Sequence, residues 1–329
     1  MTPTLTLTHT LTLTRFQFST LTLSIVALLS LFTLTFSFPA YSDTAQPSEL
    51  STQQPRIIRM APKQSAEDVS HSYLVSLLEI AIKETEHDFG PAKLDFMPIQ
   101  LGQNLVLPLL DIEDILDTVA SAPTVKREVQ FRAARFPLLM GLLGYRMMLI
   151  RPEDEAKFLA IKRPEQLKAL KACQGSAWPD SKILEDQGYN VIRVDKFETM
   201  FDFLNNERCD YFPRAITEGY GELKAYNAAN PDKPLLAFDK VLLHYTVPLF
   251  FFTSHKNFLL AYRIETGLIR ANEKGLVEQL MRTHPVTKSA YPLDKWQESI
   301  VFEVEIPDLL KTIPIEKKHY WQQLPARKH

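Results

Sequence analysis

The stretch from Ile161 to Leu223 decides the fold, and it reads IKRPEQLKALKACQGSAWPDSKILEDQGYNVIRVDKFETMFDFLNNERCDYFPRAITEGYGEL. Short apolar segments alternate with amphipathic ones over its whole length, and the connections between them are brief. Gly188 sits where a helix would end in a left-handed cap, a position that suits glycine. The pattern predicts strands near 172–177, 191–194 and 209–212, separated by helices over 178–187 and 197–204.

The order strand, helix, strand, helix, strand predicts a compact doubly wound α/β unit. Such units bind ligands at the carboxyl ends of their strands. In this chain those ends carry Ser176-Ala-Trp178 and Arg214-Ala215.

Extended runs bracket this unit, and each connects it to a second group of strands and helices. Tyr145 to Ile150 precedes the unit, while a run from Leu235 to Thr253 and a long amphipathic helix ending before Pro285 follow it. When one such unit is inserted into another, the chain passes between them twice, and the two units form lobes on either side of a cleft. Hinge motion at the two connections then closes the lobes on a small ligand. We therefore expect an α/β protein of two lobes, each a doubly wound sheet flanked by helices. The expected divisions are a signal peptide (1–42), a linker (43–55), the first lobe (56–142 and 244–285), the second lobe (143–243) and a Pro-rich surface tail (286–329).

The first residues of the chain have the marks of an export signal. Arg15 precedes an almost uncharged apolar run from Phe18 to Phe38, and Ala40-Tyr-Ser42 offers small residues for cleavage. These features predict a secretory signal peptide cut near Ser42, and hence a periplasmic protein. The alternative is an uncleaved membrane anchor, because the apolar run is long enough to span a bilayer.

Charge and composition limit the classes of partner. The chain has 329 residues and a formal net charge of −2, so nothing points to nucleic acid or to an anionic membrane surface. No group of residues has metal-ligand spacing and no catalytic motif is present, so we expect no metal, no cofactor and no enzyme activity. The expected partners are a small-molecule ligand and a membrane permease or sensor, and the expected state is a monomer.

Three segments resemble the bacterial extracellular solute-binding proteins of family 3, which have the type 2 periplasmic binding fold. They are LKALKACQGS (167–176), similar to the start of the family's second lobe; FDFLNNERCD (201–210), similar to a later helix and strand; and TVKREVQF (124–131), similar to a first-lobe segment. The resemblance covers Arg56 to Pro285 and implies a two-lobed binding protein. It lies closest to a poorly characterised branch marked by YFPR (211–214) and GYR (144–146).

Two departures from the family's pattern concern the ligand. Members that bind amino acids usually have an aromatic-proline-Phe motif after the first strand, where this chain reads MAPKQS (60–65). They also place an aspartate for the ligand's ammonium group where this chain has Pro213-Arg214-Ala215. The resemblance therefore implies the fold and the general role, but not an α-amino-acid ligand.

Two arginines are the leading candidates for ligand contact. Arg127 matches the family arginine that grips a carboxylate, a task that suits the guanidinium fork. The alternative is a surface arginine beside Lys126 and Glu128. Arg214 stands at a ligand end of the predicted sheet, or else it pairs with Glu218 one helical turn later. We expect both arginines to face each other across the cleft, so that the ligand is anionic or zwitterionic.

Further candidates surround the same strand ends. Trp178 and Ser176 lie at a strand-to-helix turn, where free backbone N–H groups suit an anion. Glu218, Tyr73 and Tyr145 complete the predicted contacts, although aromatic residues on periodic faces are more often core. Arg146 and Tyr245 are weaker candidates.

The only two cysteines are Cys173 and Cys209, near the starts of the first and third strands of the predicted unit. In the 2-1-3 strand order of such units these strands are neighbours. A disulfide is one expectation, since export favours oxidation. Two small buried thiols are the other.

Three functions compete on this evidence. The first is a periplasmic binding protein that delivers a small solute to a permease or sensor. The second is an enzyme on the same fold, such as a dehydratase of small carboxylic acids, which a buried Glu218 or Glu222 facing Arg127 would favour. The third is an adaptor whose cleft is filled by side chains such as Phe212 and Trp178.

Overall fold

A computed structural model describes residues 54–66, 68–306 and 311–327, all within one compact unit from Thr52 to His329. The expected signal peptide, and all but the last two residues of the expected linker, lie outside the described residues. Within the described ranges, every helix is too short or too polar to cross a membrane.

The strands and helices follow each other along the chain in the alternation of an α/β protein. The strands are β1 (Arg56–Met60), β2 (Ala92–Phe96), β3 (Val119–Ser121), β4 (Phe131–Ala134), β5 (Tyr145–Ile150), β6 (Lys171–Gly175), β7 (Asn190–Val194), β8 (Phe212–Ala215), β9 (Leu236–His244), β10 (Phe250–Ser254) and β11 (Ile300–Glu303). The helices are α1 (Ser70–Glu84), α2 (Glu86–Phe89), α3 (Gln103–Val106), α4 (Val125–Gln130), α5 (Glu155–Leu159), α6 (Pro164–Lys168), α7 (Pro179–Asp186), α8 (Thr199–Asn205), α9 (Gly219–Ala229), α10 (Phe258–Glu273) and α11 (Leu276–Thr283).

The stretch that decides the fold forms β6, α7, β7, α8 and β8, in the predicted order. Gly188 has a φ of 80° after α7, the left-handed conformation expected of a glycine cap. β6 pairs with β7 in parallel, with Cys173 opposite Ile192. A parallel bridge between Ala172 and Tyr211 sets the chain entering β8 on the other side of β6. The 2-1-3 strand order is therefore confirmed.

The first lobe contains two small sheets and a helix pair. β1 and β2 are parallel, β10 lies between β3 and β4 with antiparallel pairing on both sides, and a bridge from Met60 to Thr118 links the two groups. α1 packs on α10, and Gly267 permits this close approach. A Cβ atom on Gly267 would lie 2.7 Å from the carbonyl carbon of Ala81.

Two helices, α10 and α11, stand where the sequence predicts a single long helix. The chain breaks at Gly275, whose φ of 73° is left-handed, and α10 and α11 follow as separate helices. α10 buries a face that includes Leu260, Ile264 and Leu268 against α1 and the sheet, and leaves Phe258 and Tyr262 exposed.

The second lobe is built on the sheet β11-β9-β5-β8, with β6 and β7 beside it. Two chain segments cross between the lobes, and they touch where Tyr245 N–H donates to the carbonyl of Gly144 at 3.2 Å. A Cβ atom on Gly144 would collide with the Tyr245 carbonyl oxygen, so this crossing requires glycine. Beside it, the rings of Tyr145 and His244 stack with centroids 4.0 Å apart.

The C-terminal residues are more than a surface tail. β11 pairs in parallel with β9, with Val301 opposite Leu242, and thus extends the sheet of the second lobe. Trp296 and Tyr320 are buried, because their large apolar rings gain more from packing on the lobes than from solvent exposure. The segment after residue 285 therefore packs on both lobes: β11 extends the sheet of the second lobe, whereas Tyr320 packs on Phe136 of the first.

Candidate ligand-binding cleft

A cavity of about 130 Å³ lies between the first lobe and the second lobe. The carboxyl ends of β1, β3, β6 and β8 point toward it, as the doubly wound topology requires. Its first-lobe wall is mostly apolar and includes Met60, Leu74 and Val119. Its second-lobe wall carries a group of buried charges, namely Arg146, Asp180, Arg214, Glu218 and Glu222.

Adjacent strands and two helix starts bring these charges together. Arg146 lies on β5 and Arg214 on β8, which pair antiparallel with Arg214 opposite Met147. Asp180 stands in the first turn of α7, where the helix dipole favours a carboxylate. Glu218 and Glu222 begin α9 at i and i+4, so both reach back over Arg214.

The charges alternate in sign along the wall. Tyr245 donates its hydroxyl to Asp180 at 2.6 Å, and the same Asp180 oxygen lies 2.6 Å from Arg146. The Glu218 Oε2 atom lies 4.0 Å from a terminal nitrogen of Arg146 and 3.0 Å from a terminal nitrogen of Arg214.

Arg214 also holds Glu222 in a two-point contact. Its Nε and one terminal nitrogen donate to the two Glu222 oxygens at 2.6 and 2.5 Å. Such bidentate charged hydrogen bonds fix orientation as well as charge.

Burial and mutual repulsion shift the pKa of the innermost carboxyl. Burial, with smaller contributions from the charges of Glu218 and Asp68, raises the pKa of Glu222 to about 7 against the attraction of Arg214. Burial alone would lower the pKa of Arg214, but Glu222 and Glu218 raise it well above its usual value. The cavity wall therefore keeps its cations charged and carries one carboxyl that titrates near neutral pH.

Aromatic rings cover the Arg214 end of this wall. The Arg214 guanidinium lies 5.0 Å from the ring centre of Trp178 and 5.6 Å from that of Phe197, within reach of cation–π attraction. Phe212 is fully buried behind Arg214 and does not reach the cavity. The cleft is thus narrowed by Trp178 but not filled.

The structure brings three of the predicted contact residues together in the cavity wall: Trp178, Arg214 and Glu218. Tyr73 is instead buried in the first lobe, where its hydroxyl donates to the Leu138 carbonyl at 2.7 Å. Tyr145 stacks on His244 and does not line the cavity. The Ser176 backbone is engaged with Val194 and Arg193 and the residue is absent from the cavity wall.

Arg127 lies near the cavity without lining it. One terminal nitrogen donates to the Ser121 hydroxyl at 2.7 Å and to the Ala122 carbonyl at 2.8 Å. The other donates to the carbonyl of Ala177 in the second lobe at 2.9 Å. The sequence predicts that Arg127 and Arg214 face each other across the cleft. In the structure Arg127 contacts Ala177 of the second lobe, whereas Arg214 is held by Glu218 and Glu222 of its own lobe.

Sequence reasoning gave too little weight to Arg146 and none to Asp180 and Asp68 as parts of the wall. Arg146 belongs to a buried strand, and a charged residue inside the run YRMMLI (145–150) was the available signal. Asp180 follows Trp178-Pro179 at a helix start, a common place for an acidic residue. Its position therefore carried no distinct signal of cleft chemistry.

A disulfide joins Cys173 and Cys209, with their Cα atoms 5.6 Å apart. Both residues are buried, Cys173 on β6 and Cys209 in the segment that leads into β8. Across the residues that the structure describes, no group of His, Cys, Asp and Glu side chains is arranged to hold a metal ion.

The sequence matches no family model and no curated protein. Solved structures do resemble the chain. A Salmonella typhimurium periplasmic binding protein with high arginine specificity is 18% identical over 69% of this chain and 98% of its own, with a TM-score of 0.51.

Two further solved structures have TM-scores of 0.50. A periplasmic His/Glu/Gln/Arg/opine family-binding protein from Silicibacter pomeroyi, in complex with lysine, is 10% identical over 68% of this chain and 95% of its own. An amino acid ABC transporter substrate-binding protein from Streptococcus pneumoniae, bound to L-arginine, is 12% identical over 72% and 93%. The chain therefore has the two-lobed α/β fold of type 2 periplasmic binding proteins.

Proposed function

We propose that this protein is an exported solute-binding protein that captures a small zwitterionic solute by closing two lobes on it. The observation that carries the proposal is the cavity between the lobes, whose wall presents buried charges of both signs. Ligand sites of this kind are concave and mostly apolar, with a few fixed polar groups that orient the ligand. Two of the similar solved structures add support, because one is in complex with lysine and the other is bound to L-arginine.

Lobe closure is supported by a contact that spans the cleft. Arg127 belongs to α4 of the first lobe and donates to the Ala177 carbonyl in the second lobe. Burial lowers the pKa of Arg127 to about 10, so the guanidinium stays charged at neutral pH. A charged donor that reaches across the cleft stabilises the closed arrangement, and it has to be released when the lobes open.

A zwitterion fits the cavity better than a simple anion. The lining includes the carboxyls of Asp68, Asp180, Glu218 and Glu222, but only two arginines, Arg146 and Arg214. A purely anionic solute would meet an excess of like charge in a poorly solvated site, where such repulsion is strong. We therefore replace the expectation of an anionic or zwitterionic ligand by a ligand that carries a cationic group.

An enzyme on this fold is less well supported. Sequence reasoning named a buried glutamate facing Arg127 as its signature, whereas Glu222 is bound to Arg214 at 2.5 and 2.6 Å. Glu218 also contacts Arg214, at 3.0 Å. Both carboxyls line the cavity, but Arg214 holds both, so neither is free to act as a general base toward a ligand.

The proposal predicts that filling the cavity abolishes solute binding. Ala120 lines the cavity on β3, and Ala120→Phe would place a ring in it. Ala156 is exposed on α5, so Ala156→Phe is the matched control. The mature protein is screened by thermal shift against the twenty amino acids, and hits are measured by titration calorimetry. We expect the wild type and the control to bind at least one of them, and Ala120→Phe to bind none.

Two results would contradict this function. One is a wild-type protein that binds no amino acid and retains no small molecule detectable by mass spectrometry. The other is equal binding by Ala120→Phe and the wild type. Export and delivery to a permease or sensor complete the proposal, and N-terminal sequencing of periplasmic protein should begin near Asp43.

A further inference from the structure

The first-lobe wall of the cavity holds a buried carboxylate with no ionic partner. Asp68 precedes α1, lines the cavity and is only 8% exposed. Its two oxygens accept hydrogen bonds from the Gln64 N–H at 2.8 Å and from the Ser70 hydroxyl at 2.7 Å. Both donors are neutral, and within the described part of the chain no cation pairs with Asp68. A buried charge without a counter-charge is costly, unless a bound group supplies that counter-charge.

The surroundings of Asp68 offer little positive charge of their own. Among the described first-lobe residues that line the cavity, Asp68 alone carries a full charge. His71 uses its Nε2 to donate to the Ala61 carbonyl at 2.8 Å, so this nitrogen is unavailable to Asp68. The start of α1 contributes only the partial positive charge of a helix end.

The opposite wall increases the need for a cation. Asp180 and Glu218 balance the two arginines there, and Glu222 adds negative charge as it ionises, so that wall has no surplus positive charge for Asp68. The field of Asp68 reaches Glu222 in the second lobe, since it contributes to the raised pKa of that carboxyl. Closing the lobes therefore brings like charges together, and a cation between them turns this repulsion into attraction.

Arg146 provides an independent sign that a ligand belongs in this cavity. It lines the cavity and is 3% exposed, and its Nε donor has no hydrogen-bond acceptor among the described residues. Unsatisfied buried donors are rare in folded proteins. A carboxylate on the ligand is an acceptor of the kind that this donor lacks.

We infer that Asp68 is the specificity-determining residue of the cleft, selecting a solute that carries an ammonium or guanidinium group in excess of its carboxylate charge. This inference rests on the proposed function and adds the charge class of the ligand. A solute of net charge +1 offsets part of the negative charge of the cavity, which a neutral zwitterion does not.

The test compares two probes of nearly equal shape, L-arginine and its uncharged analogue L-citrulline, by titration calorimetry at neutral pH. We expect the wild type to bind arginine at least tenfold more tightly than citrulline. Asp68→Asn keeps the size of the side chain and removes its charge, so the ratio should fall close to one through weaker arginine binding. Asp202→Asn removes an exposed carboxylate from α8 and should leave the ratio unchanged.

The ratio within one variant is insensitive to partial unfolding, because unfolding weakens the apparent affinity for both probes alike. A wild type that binds citrulline as tightly as arginine, or that binds only neutral or acidic amino acids, overturns the inference and leaves the proposed function intact. A preference for arginine that persists in Asp68→Asn overturns it as well. Failure to bind any amino acid overturns both.

Discussion

The titration of Glu222 gives stability an unusual dependence on pH. Glu222 is fully buried, and its pKa rises from 4.5 to about 7 on folding, chiefly through burial. Between these two values the folded protein keeps a proton that the unfolded chain has lost. Raising the pH through this window therefore favours unfolding, the opposite of what a carboxylate with a lowered pKa does.

The size of the effect follows from the width of the window. The interval from 4.5 to about 7 spans about 2.5 pH units, and each unit corresponds to about 1.36 kcal/mol. Glu222 should therefore lower the free energy of unfolding on the order of 3 kcal/mol between the two ends of the window. Other groups titrate there too, among them His284, whose pKa burial lowers and whose contribution has the opposite sign.

The contribution of Glu222 is measured as the difference in unfolding free energy between the wild type and a variant that lacks this carboxyl. Urea unfolding is measured at about pH 5 and about pH 8 for the wild type and for Glu222→Gln, because contributions shared by both proteins cancel. The variant loses one contact to Arg214, so we expect it to be less stable at the lower pH and to recover on the order of 3 kcal/mol relative to wild type at the higher pH. Glu198→Gln, at an exposed site, is the control and should show no such recovery.

A stability difference that stays within about 0.5 kcal/mol between the two pH values would refute this reasoning. It would mean that Glu222 is ionised throughout, and that its pairing with Arg214 outweighs the cost of burial.

Two further predictions concern the scaffold. The bond between Cys173 and Cys209 closes a loop with a sequence separation of 36. Replacing both cysteines by alanine should therefore lower the free energy of unfolding by about 4 kcal/mol. Urea unfolding measures this free energy, and a loss below about 1 kcal/mol would contradict the prediction. Gly267→Ala forces a Cβ atom against the Ala81 backbone and should cost about 1–3 kcal/mol despite better helix propensity. Gly102→Ala, in open space, is its control, and equal melting temperatures for both variants would refute the packing argument.

The sequence by itself was sufficient for the architecture around residues 161–223. Gly188, the stripe from Phe197 to Leu204 and the β-branched residues of β7 each report a local preference, and these preferences agree with one another. Strand order followed from topology, since doubly wound units have few arrangements of neighbouring strands. Such local preferences predict the structure because the backbone conformations that they favour are also the conformations found in the folded protein.

The sequence could not predict which side chains that are distant along the chain would form ion pairs or hydrogen bonds with each other. Arg214 was visible as a residue at a strand end, but its hold on Glu222 depends on how α9 turns back over β8. Arg127 fits the expected position, yet its guanidinium is taken up by Ser121, Ala122 and the second lobe. Asp68 had no sequence signal, because a carboxylate before a helix is ordinary until its surroundings are known. The charge balance of the cleft is a sum over groups from several elements, and only the packed tertiary structure fixes the distances over which those charges act.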